Sequence, residues 1–168
     1  MNKAKLLLGL VALCFATIVW ARIEVHFDRN VDFSQYKTYA WQQGTPAADP
    51  LMQGRIERAV SAQLQVAGLS EASAAPDLKV ITHASSKQTK QVHTGNFGYG
   101  PMSSGFGEQD YNITIKIGTL RVDLVDARSH KLVWSGTATK TLSDNPKKVA
   151  KLIEKVVTKM FKHFPPRQ

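Results

Sequence analysis

Residues 113–138, ITIKIGTLRVDLVDARSHKLVWSGTA, carry the pattern that decides the fold. Ile113, Ile115 and Ile117 alternate with Thr114 and Lys116. Leu120, Val122 and Leu124 then alternate with Arg121 and Asp123. Both runs have the period of two of a strand with one buried face. The apolar positions change from odd to even across Gly118-Thr119. A regular strand would carry the second set to the opposite face. A β-bulge at Gly118 would restore the phase, so a bulge is expected there. Asp126 to Lys131 is a polar connection. The chain returns with Leu132, Trp134, Gly136 and Ala138 on one face, which predicts an antiparallel hairpin. Asp123 and Asp126, three apart on a strand, point to opposite faces. One is expected to be solvated and the other to belong to the turn.

The remaining chain supplies the partners of this hairpin. Arg22 to Asp28 alternates as a first strand, with Ile23, Val25 and Phe27 inward and His26 outward. Asp28 to Asp32 resembles the opening of a calcium loop, but Phe33 stands where glycine is needed and Tyr39 where a bidentate glutamate is needed. A turn closed by Asx side chains is expected instead. Lys37 to Trp41 reads as a second strand, with Tyr36, Tyr39 and Trp41 as packing aromatics. Asp49-Pro50 opens a helix with the apolar face Met52, Ile56, Val60 and Leu64, and Gly68 closes it. Ser70 to Pro76 reads as a linker and Asp77 to Ala84 as a third strand, whose apolar residues on both parities suit a central place in the sheet. Asn145-Pro146 opens a second helix, whose stripe runs Val149, Leu152, Ile153, Val156, Val157, Met160 and Phe164. Lysines fill its other face, and Pro165-Pro166 ends it. These elements predict a two-layer α+β sandwich: an antiparallel or mixed sheet of about five strands with two helices on one face.

The chain has 168 residues and a formal net charge of +9, enough for one domain with a real core. Its N-terminus has the form of a secretory signal peptide: a basic Met1 to Lys5, an apolar Leu6 to Val19, and Val19-Trp20-Ala21 before Arg22. The expected division is a signal peptide at 1–21 and a single domain at 22–168. Removal of Lys3 and Lys5 lowers Lys plus Arg from 22 to 20 against 13 acids, a mature charge of +7. The only cysteine, Cys14, lies in the apolar run behind Leu13, where lipoprotein processing requires a small residue. An uncleaved anchor is the alternative. The mature chain would hold no cysteine, which suits an oxidising compartment.

Residues 94–108 differ in character. Five glycines interleave with Phe97, Tyr99 and Phe106. The spacing matches no phosphate loop, and the segment is expected to be a long loop or an extended hairpin tip. Its three aromatics are the candidate binding residues. No Gly-x-Ser-x-Gly or His-Glu-x-x-His occurs, and His26, His83, His93, His130 and His163 are scattered. No catalytic residue, metal ligand or cofactor is therefore assigned. A hydrolase whose site is invisible in the sequence is the alternative reading. The excess of lysine suits anionic surfaces, and export argues against nucleic acid as the partner. The expected partner is an envelope component or another protein, with membrane association through an uncleaved N-terminus or the basic surface.

Several of these stretches together resemble a known family. They are Phe33-Ser34-x-Tyr36-Lys37-Thr38-Tyr39-Ala40-Trp41, Ala75-Pro76-Asp77-Leu78-x-Val80, Gly118-Thr119-Leu120-x-Val122-Asp123-Leu124-Val125-Asp126-Ala127, Leu132-Val133-Trp134-x-Gly136 and Phe164-Pro165-Pro166. The set is similar to the bacterial envelope proteins of domain-of-unknown-function family 4136, many of which look like lipoproteins. The resemblance implies a periplasmic or outer-membrane location for an exported protein. The family has no established activity, so it brings no catalytic residue.

Overall fold

The computed structural model describes residues 21–95 and 109–166. Residues 1–20 of the expected signal peptide at 1–21, and the aromatics Phe97, Tyr99 and Phe106, lie outside the described residues. Six strands form one mixed sheet: β1 (Arg22–Phe27), β2 (Thr38–Thr45), β3 (Ser70–Glu71), β4 (Leu78–Gly95), β5 (Gln109–Asp126) and β6 (Leu132–Thr141). Their order is β1-β6-β5-β4-β2-β3. β2 runs parallel to β3 and β4, and the other pairings are antiparallel. Parallel neighbours need a crossover. Helix α1 (Pro50–Val66) supplies it between β2 and β4, and α2 (Pro146–Met160) follows β6.

The helix ends follow from local chemistry. Asp49 accepts a hydrogen bond from the Leu51 amide, and Asn145 accepts from the amides of Lys147 and Lys148. Each cap precedes a proline at the first helical position. Gly68 stops α1 at φ +86°, a conformation that suits glycine. The Leu69 amide donates back to the Leu64 carbonyl at 2.9 Å, and both leucines are buried.

Both helices pack on the face that carries Leu78, Val80, Leu120, Val122, Leu124 and Trp134. Ile56, Val60 and Leu64 of α1 meet this face, as do Val149, Ile153, Val156, Val157 and Met160 of α2. Each such buried aliphatic contributes roughly 1.5–3 kcal/mol. The lysines of α2 are exposed, as a solvated face requires. Thr82 is buried on the helix side, where its Oγ1 accepts from Gln53 Nε2 at 3.2 Å. Gln53 Oε1 in turn accepts from the Ala47 amide at 2.9 Å. This polar latch fixes the first turns of α1 against the sheet.

Two expectations are corrected. The sheet has no bulge at Gly118. β4 and β5 pair in one unbroken register, with Ser86 opposite Gly118 and Thr89 opposite Ile115. Alternation therefore carries Ile115 and Ile117 to the open face, away from Leu120 and the helices. Gly118 serves a steric need: a Cβ there would stand 2.8 Å from the side chain of Leu142, which lies across it. The register slips near the turn instead, between Leu124 and Val125. There an extra residue on β6 lets Val133 and Trp134 both be buried. The second correction concerns 70–95. Ser70–Glu71 is a short edge strand rather than linker, and β4 continues eleven residues beyond Ala84 to Gly95. The polar run Lys87 to Gln91 shows no apolar alternation, which hides this extension from a sequence reading.

Placement on opposite faces predicts opposite tolerance. Ile115→Thr is expected to cost under about 1 kcal/mol, and Leu120→Ala about 2–5 kcal/mol, by urea unfolding. The Tyr39 hydroxyl is buried without a hydrogen-bond partner among the described residues. Tyr39→Phe is accordingly expected to keep or raise the melting temperature, since it removes an unsatisfied polar group.

Candidate functional site

Three places in the fold gather chemistry-bearing residues. The first is the open face of the sheet. Asp123 is buried there at 4% exposure, against the expectation that it is solvated. Ser135 Oγ donates to its Oδ1 at 2.6 Å. Arg121 Nε donates to Oδ1 at 2.8 Å, and Arg121 Nη2 lies 2.8 Å from Oδ2. This bidentate pair and the serine supply the carboxylate with the partners burial demands. His83 Nε2 stands 3.9 Å from Oδ2. Serine, histidine and aspartate meet here, but not in an order that makes a nucleophile. The Ser135 proton goes to the carboxylate, and His83 Nδ1 accepts from the Thr45 amide at 3.3 Å. That assignment leaves the neutral imidazole's proton on Nε2, facing Asp123. A reactive serine needs a base within hydrogen-bond reach, and no such pair is formed. The cluster is a structural tie between β4, β5 and β6. Among the described residues, no three His, Cys, Asp or Glu side chains converge on a common point.

The second place lies at the β5–β6 turn, where the stretches that resemble the family come together. Tyr36 Oη donates to Asp126 Oδ2 at 2.9 Å. Asp126 Oδ1 also accepts from the amides of Arg128 and Ser129, as a turn aspartate does. Asp77 Oδ2 accepts from the amides of Lys37 and Thr38 and from Thr38 Oγ1. Beside them, Phe164 packs edge-on against Phe33, Trp134 and Phe161 with centroids 5.4–5.9 Å apart. A hollow of about 820 Å³ opens between Phe33 and Phe164. Tyr36, Asp77, Asp126 and Phe164 thus join β2, β4, the turn and the end of α2. The electrostatics agree. Hydrogen bonds from Lys37 hold the Asp77 carboxyl below its usual range, and those from Ser129 do the same for Asp126. Burial and the bond to Asp126 push the Tyr36 hydroxyl up to about 12.

The third place is the opposite end of the sheet. Beyond the Ile117–Thr141 pair, β5 keeps one more contact outside β4, the Leu142 amide donating to the Lys116 carbonyl at 2.7 Å, and past it no other partner among the described residues. The two strands continue alone from Thr89–Ile115 to Gly95–Gln109, a ribbon of about 24 Å at ~3.4 Å per residue. It leads to residues 96–108. Lys90 and Thr114 are exposed on it, and Lys87, Gln88 and Lys116 are exposed at its root. At its root a cleft of about 400 Å³ opens between α1, α2 and the sheet. Sequence reasoning misses this cleft. Its only signal is the change of apolar parity at Gly118, which a bulge would explain equally well.

Known proteins share this fold. The family described as "Domain of unknown function (DUF4136)" matches residues 23–166. No curated protein matches the sequence. A PDZ domain protein from Parabacteroides distasonis has a similar fold, with TM-score 0.62 and 15% identity over 88% of this chain. The chain spans only 36% of that protein's length. The PelC dodecamer from Paraburkholderia phytofirmans is similar with TM-score 0.54 and 13% identity, covering 89% of this chain and 100% of the PelC chain.

The titration directions predict a stability profile. Asp77 and Asp126 have depressed pKa values, so their contribution is present above the unfolded carboxylate value of ~4 and is lost as pH falls below it. Tyr36 has a raised pKa, so its contribution is present below the unfolded value of ~10 and is lost as pH rises toward 12. Urea midpoints are expected to fall at both extremes. The acid limb should flatten in Asp126→Asn and the alkaline limb in Tyr36→Phe.

Proposed function

The chain belongs to the DUF4136 family of domains of unknown function, and from that premise we propose that it is an exported, non-enzymatic binding module of the bacterial cell envelope. The two-stranded ribbon carries this reading. An isolated pair of strands is marginally stable in water, and its outer edges leave backbone groups unpaired. The ribbon continues past the helix-covered core, with Lys90 exposed on it and Lys87 and Lys116 exposed at its root. Such an element adds little to the fold and gives the chain reach. Its lysines match an anionic partner. Phe97, Tyr99 and Phe106, in the connection that it carries, supply the aromatic contacts.

Export is supported by the basic start, the apolar run and the Val19-Trp20-Ala21 site directly before β1. A periplasmic or outer-membrane position follows from this reading. The Asp123 cluster does not favour the hydrolase alternative, because its serine and histidine both face the carboxylate.

Replacing 96–108 with Asn-Gly shortens the ribbon to a two-residue turn. The expected result is an unchanged melting temperature and loss of the partners captured from envelope extract. An unchanged partner set would take binding away from the ribbon.

A further inference from the structure

The cleft has the composition of a ligand site distinct from the ribbon's tip, sharing with the ribbon only Lys116 at its root. We propose that it binds the acyl chain of a single-chain anionic lipid, with the head group held by Lys116 and Lys140. Its walls are Met52 and Ile56 of α1 and Leu152, Ile153 and Val156 of α2; its floor includes Leu120, Ala138 and Leu142. The volume of about 400 Å³ lies within the ~300–1,000 Å³ of small-molecule sites, which combine an apolar lining with a few polar groups at one end.

The nature of the walls selects the ligand. Most are helix sides and faces of hydrogen-bonded strands, whose backbone groups are already paired; in the segments outside these elements, the Ala47 amide donates to Gln53 and the Leu142 amide to Lys116. A peptide entering the cleft would find few main-chain partners for its own amides and carbonyls, which is costly. An acyl chain has no such groups to satisfy.

The charge selects the head group. Lys116 and Lys140 both line the cleft, and neither forms an ion pair among the described residues. The acid that also lines it, Asp49, is engaged as the cap of α1 through the Leu51 amide. The lining includes Asp49, the N-cap of α1, and Val149 in the first turn of α2, where the positive ends of the helix dipoles add to the lysines. Ser86 lies at the same rim. An anion at the mouth is therefore favoured over a neutral or cationic head group.

The test uses the full chain, stripped of co-purifying lipid, and the fluorescent fatty acid cis-parinaric acid. Palmitate and hexadecanol serve as competitors with and without charge. The expected result is saturable binding at one site per chain, displaced by palmitate. Two independent fillings of the cleft, Leu152→Trp and Ala84→Leu, are expected to weaken binding at least about tenfold while circular dichroism and melting temperature report an intact fold. If one variant fails to fold, the other decides. Lys116→Glu with Lys140→Glu is expected to weaken palmitate and leave hexadecanol unchanged. Three outcomes overturn the proposal: no saturable binding, binding unaffected by a folded filling variant, or equal loss of palmitate and hexadecanol in the lysine variant. The ribbon-tip replacement is expected to leave fatty-acid binding intact, so failure of this site is separable from failure of the ribbon reading.

Discussion

The side chains of β5 from Thr114 to Asp126 are placed by one constraint, the strand's unbroken pairing with β4. A strand turns its side chains over at each residue, and a continuous register offers no chance to reset the phase. Leu120, Val122 and Leu124 therefore lie under the helices, and Ile115 and Ile117 cannot. Past Gly118 the helix side of β5 carries the exposed Lys116 and Thr114. The core ends where this exchange occurs. Leu142 folds over the missing side chain of Gly118, the cleft opens beside it, and β4 and β5 leave the sheet as a pair. The limit of the core, the cleft and the ribbon share this origin.

The two ends of the molecule are built differently. At the β5–β6 turn, charged and aromatic side chains close a dense set of contacts: Tyr36 to Asp126, Asp77 to the backbone of β2 and the residue before it, and Phe164 to three other aromatic rings. Carboxylates that accept several amide hydrogen bonds hold loops firmly, and depressed titration is their signature. The far end has no comparable ties among the described residues. It has a cleft, exposed lysines and a ribbon that pairs only to itself from Thr89–Ile115 outward among the described residues. Binding elements belong to the less stable part of a fold, supported by a rigid remainder.

Much of this is legible in the residues. Each helix announces itself through a cap, a proline at its first position and an apolar stripe, because those signals are local. The β5–β6 hairpin is legible for the same reason. What escapes the sequence is non-local. The parity change at Gly118 is visible, but whether a chain bulges or turns its face over depends on what lies beneath it, here Leu142 and the end of the helix layer. The outer half of β4 is hidden because Lys87 and Gln88, on opposite faces, are both exposed and leave no apolar rhythm. Asp123 looks solvated because its face is open, and only its neighbours Arg121, Ser135 and His83 bury it. The stretches that carry the family resemblance are recognisable as words. Their physical work, tying the turn end together, appears only when Tyr36, Asp77 and Asp126 are brought into reach.

Cross-strand backbone NOEs between β4 and β5 read the register itself. An unbroken series that continues through Ser86–Gly118 to Thr89–Ile115 is the predicted result. A series that jumps by one residue between Thr119 and Ile117 would restore the bulge and return the isoleucines to the helix side. It would contradict the common origin of the cleft and the ribbon.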